Sequence, residues 1–429
     1  MNTSFMGRLC SVLSIAIVIS TLCCCLTGNR GNEAIAATAE GNRQNVQKAV
    51  DAVRTQLEAK IGKTVPSMNV LIQTAGETVF VSSVPAGGTP VTKDTYFRFA
   101  SNTKNFTATA VLNMFEDGWV DYKAKIVDRI PGTDIPYVPA TPEWNIPFKD
   151  RITIEQLLQH SAGVFDVDND PVPGFEGKTY TEYAMDKDPK HQFTTAEMVE
   201  QLFQKKLSYF EPGTSYHYSN TGYAILGEII ARVYSARSGK PRTYADYLND
   251  FVTGNTSGAG NKIPVPLKIS FPVLASDVRL PSPNAAGTIV YPDRTEKITD
   301  FNMSAQVAEG NGYGTMADLN TFIRTLMKGV NVLSPKTVKL MQTDLSPGSK
   351  EYALGCVFKE NLGYGHNGAR IGNLALMAYD PINDVSIVVY LPLWDFTKGM
   401  DSFKECFMGM YDAAYAAREA LGLPGKPKK

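Results

Sequence analysis

Strand-forming sequence stands at the two ends of this 429-residue chain, and the long middle is written for helices and loops. Met68 to Gln73 and Glu77 to Val81 flank Ala75-Gly76 and read as a β-hairpin. Tyr352 to Phe358, Leu374 to Tyr379 and Val385 to Leu391 concentrate β-branched and aromatic residues and read as three further strands. Val46, Val50, Val53, Leu57 and Ile61 recur at helical spacing up to Gly62, and a second helical pattern runs from Asp401 to Leu421. The simplest assembly pairs the early hairpin with the late strands. The fold class expected is α/β (α+β): an antiparallel sheet of five or more strands, flanked by the N- and C-terminal helices, with an inserted, mostly helical lobe.

One domain over 40–425 accounts for this pattern, with a sheet lobe from about 45–100 and 350–421 and a helical lobe over about 101–349. Thr153 to Gln156 reads as a capping box, Tyr223 to Val233 as a helix, and Leu319, Phe322, Ile323 and Leu326 as a helix ending at Gly329. Residues 240–300 are rich in Pro, Gly, Asn and Ser and read as loops or an irregular insertion. At 43% hydrophobic and 20% charged, the chain has material for a large core. The net charge of −1, with no concentrated Lys/Arg stretch, excludes a nucleic-acid partner.

Residues 1–39 read as an address. Arg8 precedes the uncharged, mostly apolar run Leu9 to Leu26, and small residues at Ala34 to Ala39 offer cleavage sites, so export to a periplasmic or extracellular location is expected. The run is about 18 residues, a length that also spans a bilayer, so an uncleaved membrane anchor is the alternative, and Cys23 to Cys25 raise lipidation as another. Cys356 and Cys406 are the mature chain's two cysteines, either a bridge or two buried thiols.

Three constellations bear on chemistry. Ser101 and Lys104 lie three apart, so on a helix they share a face, and an amine touching a hydroxyl is the minimal activated nucleophile. Ala108, Val111, Leu112 and Phe115 form an apolar stripe ending at Gly118, which places Ser101 near a helix N-terminus. That position favours a developing oxyanion, and it equally suits a helix cap without catalysis. Tyr218 and Asn220, two apart in a loop taken as extended, point the same way; Tyr can relay protons and Asn can hold an amide, unless the Tyr-rich loop is packing. Gly365-His366-Asn367-Gly368-Ala369-Arg370 can offer a His side chain and bare backbone N–H groups to a pocket, or hold a structural His.

Taken together, Ser-x-x-Lys, Tyr-x-Asn and His-x-Gly in this order resemble the penicillin-recognising serine hydrolases, especially class C β-lactamases and DD-carboxypeptidases, with related esterases and D-amino-acid peptidases. Leu157 to Gly163, Glu211 to Gly227 and Gly312 to Gly329 are similar to further stretches of that family, so the resemblance spans about Asn45 to Leu421. It implies a β-lactamase/transpeptidase-like fold and a serine hydrolase working through an acyl-enzyme, without metal or cofactor. Ser101 would be the nucleophile, with Lys104 and Tyr218 sharing its proton; Asn220 would bind the acyl-side amide. The N–H groups of Ser101 and Ala369 would form the oxyanion hole, and His366, Asn367 and Gly368 would complete the substrate site.

The substrate expected is a D-Ala-terminated peptide, with an ester, an amide or a β-lactam as alternatives, and a β-lactam sensor that acylates without turnover as the non-enzymatic one. His366-Asn367-Gly368 departs from the β-lactamase form Lys-Thr-Gly, which puts β-lactamase activity in doubt and removes a hydroxyl partner for a substrate carboxylate. Arg370 is either its replacement or a surface charge. A His titrating near roughly 6.5 would let the pocket's charge change across the physiological range. His160 belongs to a structural helix end in this family and stays outside the expected site.

Overall fold

The two ends of the chain meet in one sheet. The computed structural model describes residues 39–254 and 266–428. The chain runs through helix α1 (39–61), strands β1 (Met68–Gln73), β2 (Thr78–Ser83) and β3 (Phe97–Arg98), then helices α2 (Thr103–Glu116), α3 (Ile154–Leu158), α4 (Tyr180–Lys187), α5 (Thr195–Lys205), α6 (Asn220–Ser238) and α7 (Tyr244–Phe251). There follow β4 (Gly287–Val290), β5 (Thr295–Ile298), β6 (Tyr313–Gly314), α8 (Met316–Met327), α9 (Pro335–Thr343), β7 (Val357–Lys359), β8 (Gly363–Arg370), β9 (Asn373–Asp380), β10 (Val385–Leu391), β11 (Trp394–Asp395) and α10 (Met400–Ala420).

The central sheet has six strands in the order β2-β1-β10-β9-β8-β7, every neighbouring pair antiparallel. β1 of the early hairpin pairs with late β10, Val70 opposite Val389, which joins the two ends of the sequence. Side chains alternate across a strand. Val70, Ile72, Ile387 and Val389 therefore join α1 and α10 in one apolar core, while Leu71, Val388 and Tyr390 join the helical lobe in the other. The stripe on α1 is buried as expected, and Gly409 lets α10 close on it: a Cβ there would lie 3.0 Å from Leu57 Cδ2.

Several elements differ from expectation. α1 begins before Asn45. The strand read from Tyr352 shrinks to β7, because Gly355 turns the chain at φ +63° and Tyr352 keeps a lone bridge to Val357. The 240–300 stretch contains α7, where Thr243 and Asp246 form a capping box, and the β4–β5 ladder. Composition misled there because tertiary burial of Tyr244, Tyr247 and Leu248 outweighs the surrounding turn residues. Cys356 and Cys406 are free, buried thiols. The export, anchor and lipidation readings of 1–38 fall outside the described residues.

Candidate functional site

Ser101 sits where β3 hands over to α2, in a 3₁₀ turn over Ala100–Asn102. Ala100 adopts φ +51°, a region costly for a residue with a Cβ, and the surroundings enforce it. Thr103 Oγ1 donates to Ala100 O at 2.7 Å and accepts from Gly312 N at 3.0 Å, while Asn102 Nδ2 donates to Phe99 O at 2.8 Å. Asn102, not Ser101, holds the N-cap position of α2, without a side-chain cap bond, so the Ser101 hydroxyl is left for other partners. Those partners are Lys104, whose Nζ lies 3.3 Å from Ser101 Oγ, and the Tyr218 phenol.

Lys104 is fully buried, an expensive place for an amine. Its Nζ donates to Asn220 Oδ1 at 2.7 Å, Glu309 O at 2.8 Å and Glu309 Oε2 at 3.1 Å, and stands 4.7 Å from the centre of the Tyr218 ring. Burial pulls the Lys104 pKa below the usual lysine value against the opposing charge of Glu309. Burial likewise raises Glu309 to about 7 despite Lys104, and its Oε1 has no hydrogen-bond partner. The phenol of Tyr218 is pushed well above its ordinary range, again by burial, so it stays protonated near neutrality.

The Tyr218 loop is held by main-chain bonds to the turn after α3: Gly213 N to Ser161 O at 2.8 Å and His217 N to His160 O at 3.0 Å. Close approach needs Gly163, where a Cβ would lie 2.1 Å from Phe210 O. Asn220 is the first residue of α6, not part of an extended loop, because Ser219 caps the helix by accepting from Gly222 N. Both ends of the Asn220 amide are engaged, Oδ1 by Lys104 and Nδ2 by Asp168 Oδ2 at 2.9 Å.

β8 runs past the Ser101 turn. Gly368 makes this approach feasible, since a Cβ there would lie 2.3 Å from Phe99 O and 2.9 Å from Ser101 N. β7 pairs with β8 at Gly363 to Gly365 only, so the ladders leave the outer backbone edge of 366–370, Ala369 included, without a strand partner. The Asn367 side chain is engaged along the cleft wall, Oδ1 accepting from Tyr411 OH of α10 at 3.1 Å. Arg370 is not a surface charge: its guanidinium grips Asp168 at 3.0 and 3.3 Å.

His366 is part of a chain that sequence reasoning missed. His160 Nδ1 accepts from Ser219 N at 3.1 Å, so its Nε2 carries the proton toward Tyr352 OH at 3.0 Å; Tyr352 in turn meets His366 Nε2 at 3.1 Å, and His366 Nδ1 donates to Asn367 O at 2.5 Å. Burial, aided by the charge of Lys104, drives the His366 pKa down to about 3, and burial holds His160 well below the ordinary value. Both rings are neutral near pH 7, which corrects the expectation that His366 changes charge across the physiological range. His160 stands just past the end of α3, and its ring lies 4.2 Å from that of Tyr218.

Glu309, Asp166, Asp168 and Tyr352 were also missed. Asp166 accepts from Asn220 N at 2.8 Å at the start of α6, and burial together with Asp168 raises it to about 6. Asp166 and Asp168 alternate directly after the Leu157 to Gly163 stretch, and Glu309 precedes a Gly-rich run; those were the available signals. A cleft of about 690 Å³ opens over Ser101, lined among others by the polar Asn169, Glu309 and Arg370 and by Tyr216, Tyr352 and Tyr411.

The sequence matches the Beta-lactamase family over residues 43–399. It is 30% identical over 160 residues to penicillin-binding protein 4* of Bacillus subtilis (strain 168), covering 37% of this chain and 28% of that one. The chain spans about a third or less of the curated relatives it matches first. Two of the solved structures that share its fold are amide hydrolases. A D-stereospecific amidohydrolase from Streptomyces sp. is 22% identical at a TM-score of 0.62, covering 81% of this chain and 94% of that one. The D-amino acid amidase from Ochrobactrum anthropi SV3, complexed with L-phenylalanine amide, is 22% identical at 0.64, covering 88% and 98%.

Proposed function

The chain belongs to the beta-lactamase family, a fold of serine hydrolases, and on that premise we propose that it hydrolyses amide or ester bonds of D-amino-acid derivatives through an acyl-enzyme on Ser101. The observation that carries this reading is the contact of Ser101 Oγ with a fully buried lysine at 3.3 Å. Burial favours the neutral amine, and a neutral amine at that distance can take the hydroxyl proton as Oγ attacks a carbonyl carbon. The negative charge then falls on the carbonyl oxygen, beside the N–H groups of Ser101 and Ala369 at the open edge of β8. Lys104 passes its proton by way of the Tyr218 phenol to the leaving nitrogen or oxygen as that bond breaks. Water repeats the sequence in reverse to free Ser101.

D-amino-acid amidase and D-alanyl-D-alanine peptidase activities both fit this chemistry, in keeping with the amidohydrolases that share the fold and the penicillin-binding protein among the relatives. The test is covalent labelling of Ser101 by a fluorophosphonate, with turnover on a p-nitrophenyl ester, a D-amino-acid amide and a D-Ala-D-Ala peptide. Steady turnover on any of these supports a hydrolase. A burst without turnover on all three would instead identify a sensor that acylates and stops. Unlabelled Ser101 sinks the reading.

A further inference from the structure

Building on the reading of Ser101 as the acylated residue, we infer that Asp168 sets the substrate class: by holding the guanidinium of Arg370 it leaves the cleft, among the described residues, without an unpaired cation for a substrate carboxylate, so that acyl donors with an uncharged leaving side, carboxamides and esters, are taken. The pair is a fork on a fork, Nη1 to Oδ2 at 3.0 Å and Nη2 to Oδ1 at 3.3 Å. Asp168 is only 6% exposed and is anchored from three further directions, by Thr181 Oγ1 at 2.7 Å, Asn220 Nδ2 at 2.9 Å and Gln306 Nε2 at 3.1 Å. Burial works to raise its pKa, yet the Arg370 charge and these donors hold it below the ordinary carboxylate value, so the pair persists at neutral pH. Arg370 keeps outward N–H groups, but their charge is cancelled by its bound partner.

The rest of the cleft does not supply the missing charge. Lys104 is enclosed by Glu309 and Asn220, and His366 is neutral. Asn367 faces Tyr411. Lys359 and Lys426, toward the outer rim, are paired with Glu351 at 2.5 Å and Asp412 at 2.6 Å. Around Ser101 the basic side chains are the buried Lys104 and the partly exposed Arg370, and the carboxyls are Asp166, Asp168 and Glu309. A carboxylate entering there loses its hydration and meets no unopposed positive charge.

The experiment compares kcat/KM for N-acetyl-D-alanyl-D-alanine and its C-terminal carboxamide, which share the scissile bond and differ in one charge. The parent should prefer the carboxamide at least tenfold. In Asp168→Asn, with Arg370 released, that ratio should fall at least tenfold toward the carboxylate. Absolute rates are also expected to drop, because Asp168 orients Asn220 against Lys104; a merely structural role would lower both substrates alike and leave the ratio unmoved. A parent that prefers the carboxylate overturns the inference, as does an unchanged ratio in a folded Asp168→Asn protein. Should that variant fail to fold, the parent ratio alone decides. Absence of fluorophosphonate labelling at Ser101 would instead remove the hydrolase reading beneath it.

Discussion

The two faces of the central sheet bury different chemistry. Toward α1 and α10 lie Val46, Val50, Leu57, Ile61, Val389 and Met410, with a buried ion pair, Arg418 with Asp380 at 2.8 Å. Toward the helical lobe, near Ser101, lie Lys104, Glu309, Asp166, Asp168 and Arg370, together with the strained Ala100 and the partnerless Glu309 Oε1. Apolar burial stabilises at about 25 cal/mol per Å² and asks for no partners. Buried charge costs free energy unless every lone pair is answered. The difference teaches that both faces carry apolar core, and that the lobe-facing one also holds, around Ser101, a cluster of costly polar groups that the packing keeps in place.

The sharpest way to break that contrast is at the nucleophile. Ser101→Ala should abolish fluorophosphonate labelling and turnover while leaving the melting temperature within a few degrees; residual labelling at parent level would reassign the nucleophile. Next comes Lys104→Ala, expected to slow acylation by at least about a hundredfold. The fold should survive, since Glu309, already raised to about 7, can take a proton once its cation is gone. A mild effect in stopped-flow acylation would demote Lys104.

The pH profile follows from the same pair. Below about 7 Glu309 gains a proton and the pair holds two; above it the pair shares one, which lets the amine be neutral while Glu309 holds that proton. Acylation should therefore fall as pH drops through about 7, and Glu309→Gln should move that limb by more than about one pH unit. An identical limb in the variant would assign it elsewhere. His366, held down to about 3, should contribute no limb between pH 5 and 8.

Tyr352→Phe removes the hydroxyl between His160 and His366, and about a tenfold loss in kcat/KM is expected, with labelling of Ser101 retained. The smallest catalytic effect belongs to the opposite face. Leu57→Ala should destabilise by about 2–5 kcal/mol in urea unfolding while leaving kcat of the folded protein unchanged. A loss of kcat there would mean that the two faces are not separable.

What was legible in the sequence follows local rules. The α1 stripe, the hairpin, β10, the Thr153 capping box and the Ser101 to Lys104 spacing could be read because period and spacing are properties of neighbouring residues. Glu309 could not, because its partner Lys104 is 205 residues away. His366 was misjudged for a related reason: its pKa depends on how completely it is enclosed, which its glycine neighbours do not reveal. Arg370 was left between two roles, and its ion pair with Asp168, 202 residues away in the chain, is invisible to its neighbours in sequence.

By itself, then, the order of residues determined the early hairpin, β9, β10 and the two flanking helices, the pairing of the two ends, and the placing of a hydroxyl and an amine on one helical turn. The tertiary structure decided the charge of the site. Ionisation depends on desolvation and on charges brought to within about 3–4 Å, and those distances are set by how β8, the Asp166 to Asp170 loop and the Glu309 turn pack around Ser101, not by where they stand in the chain.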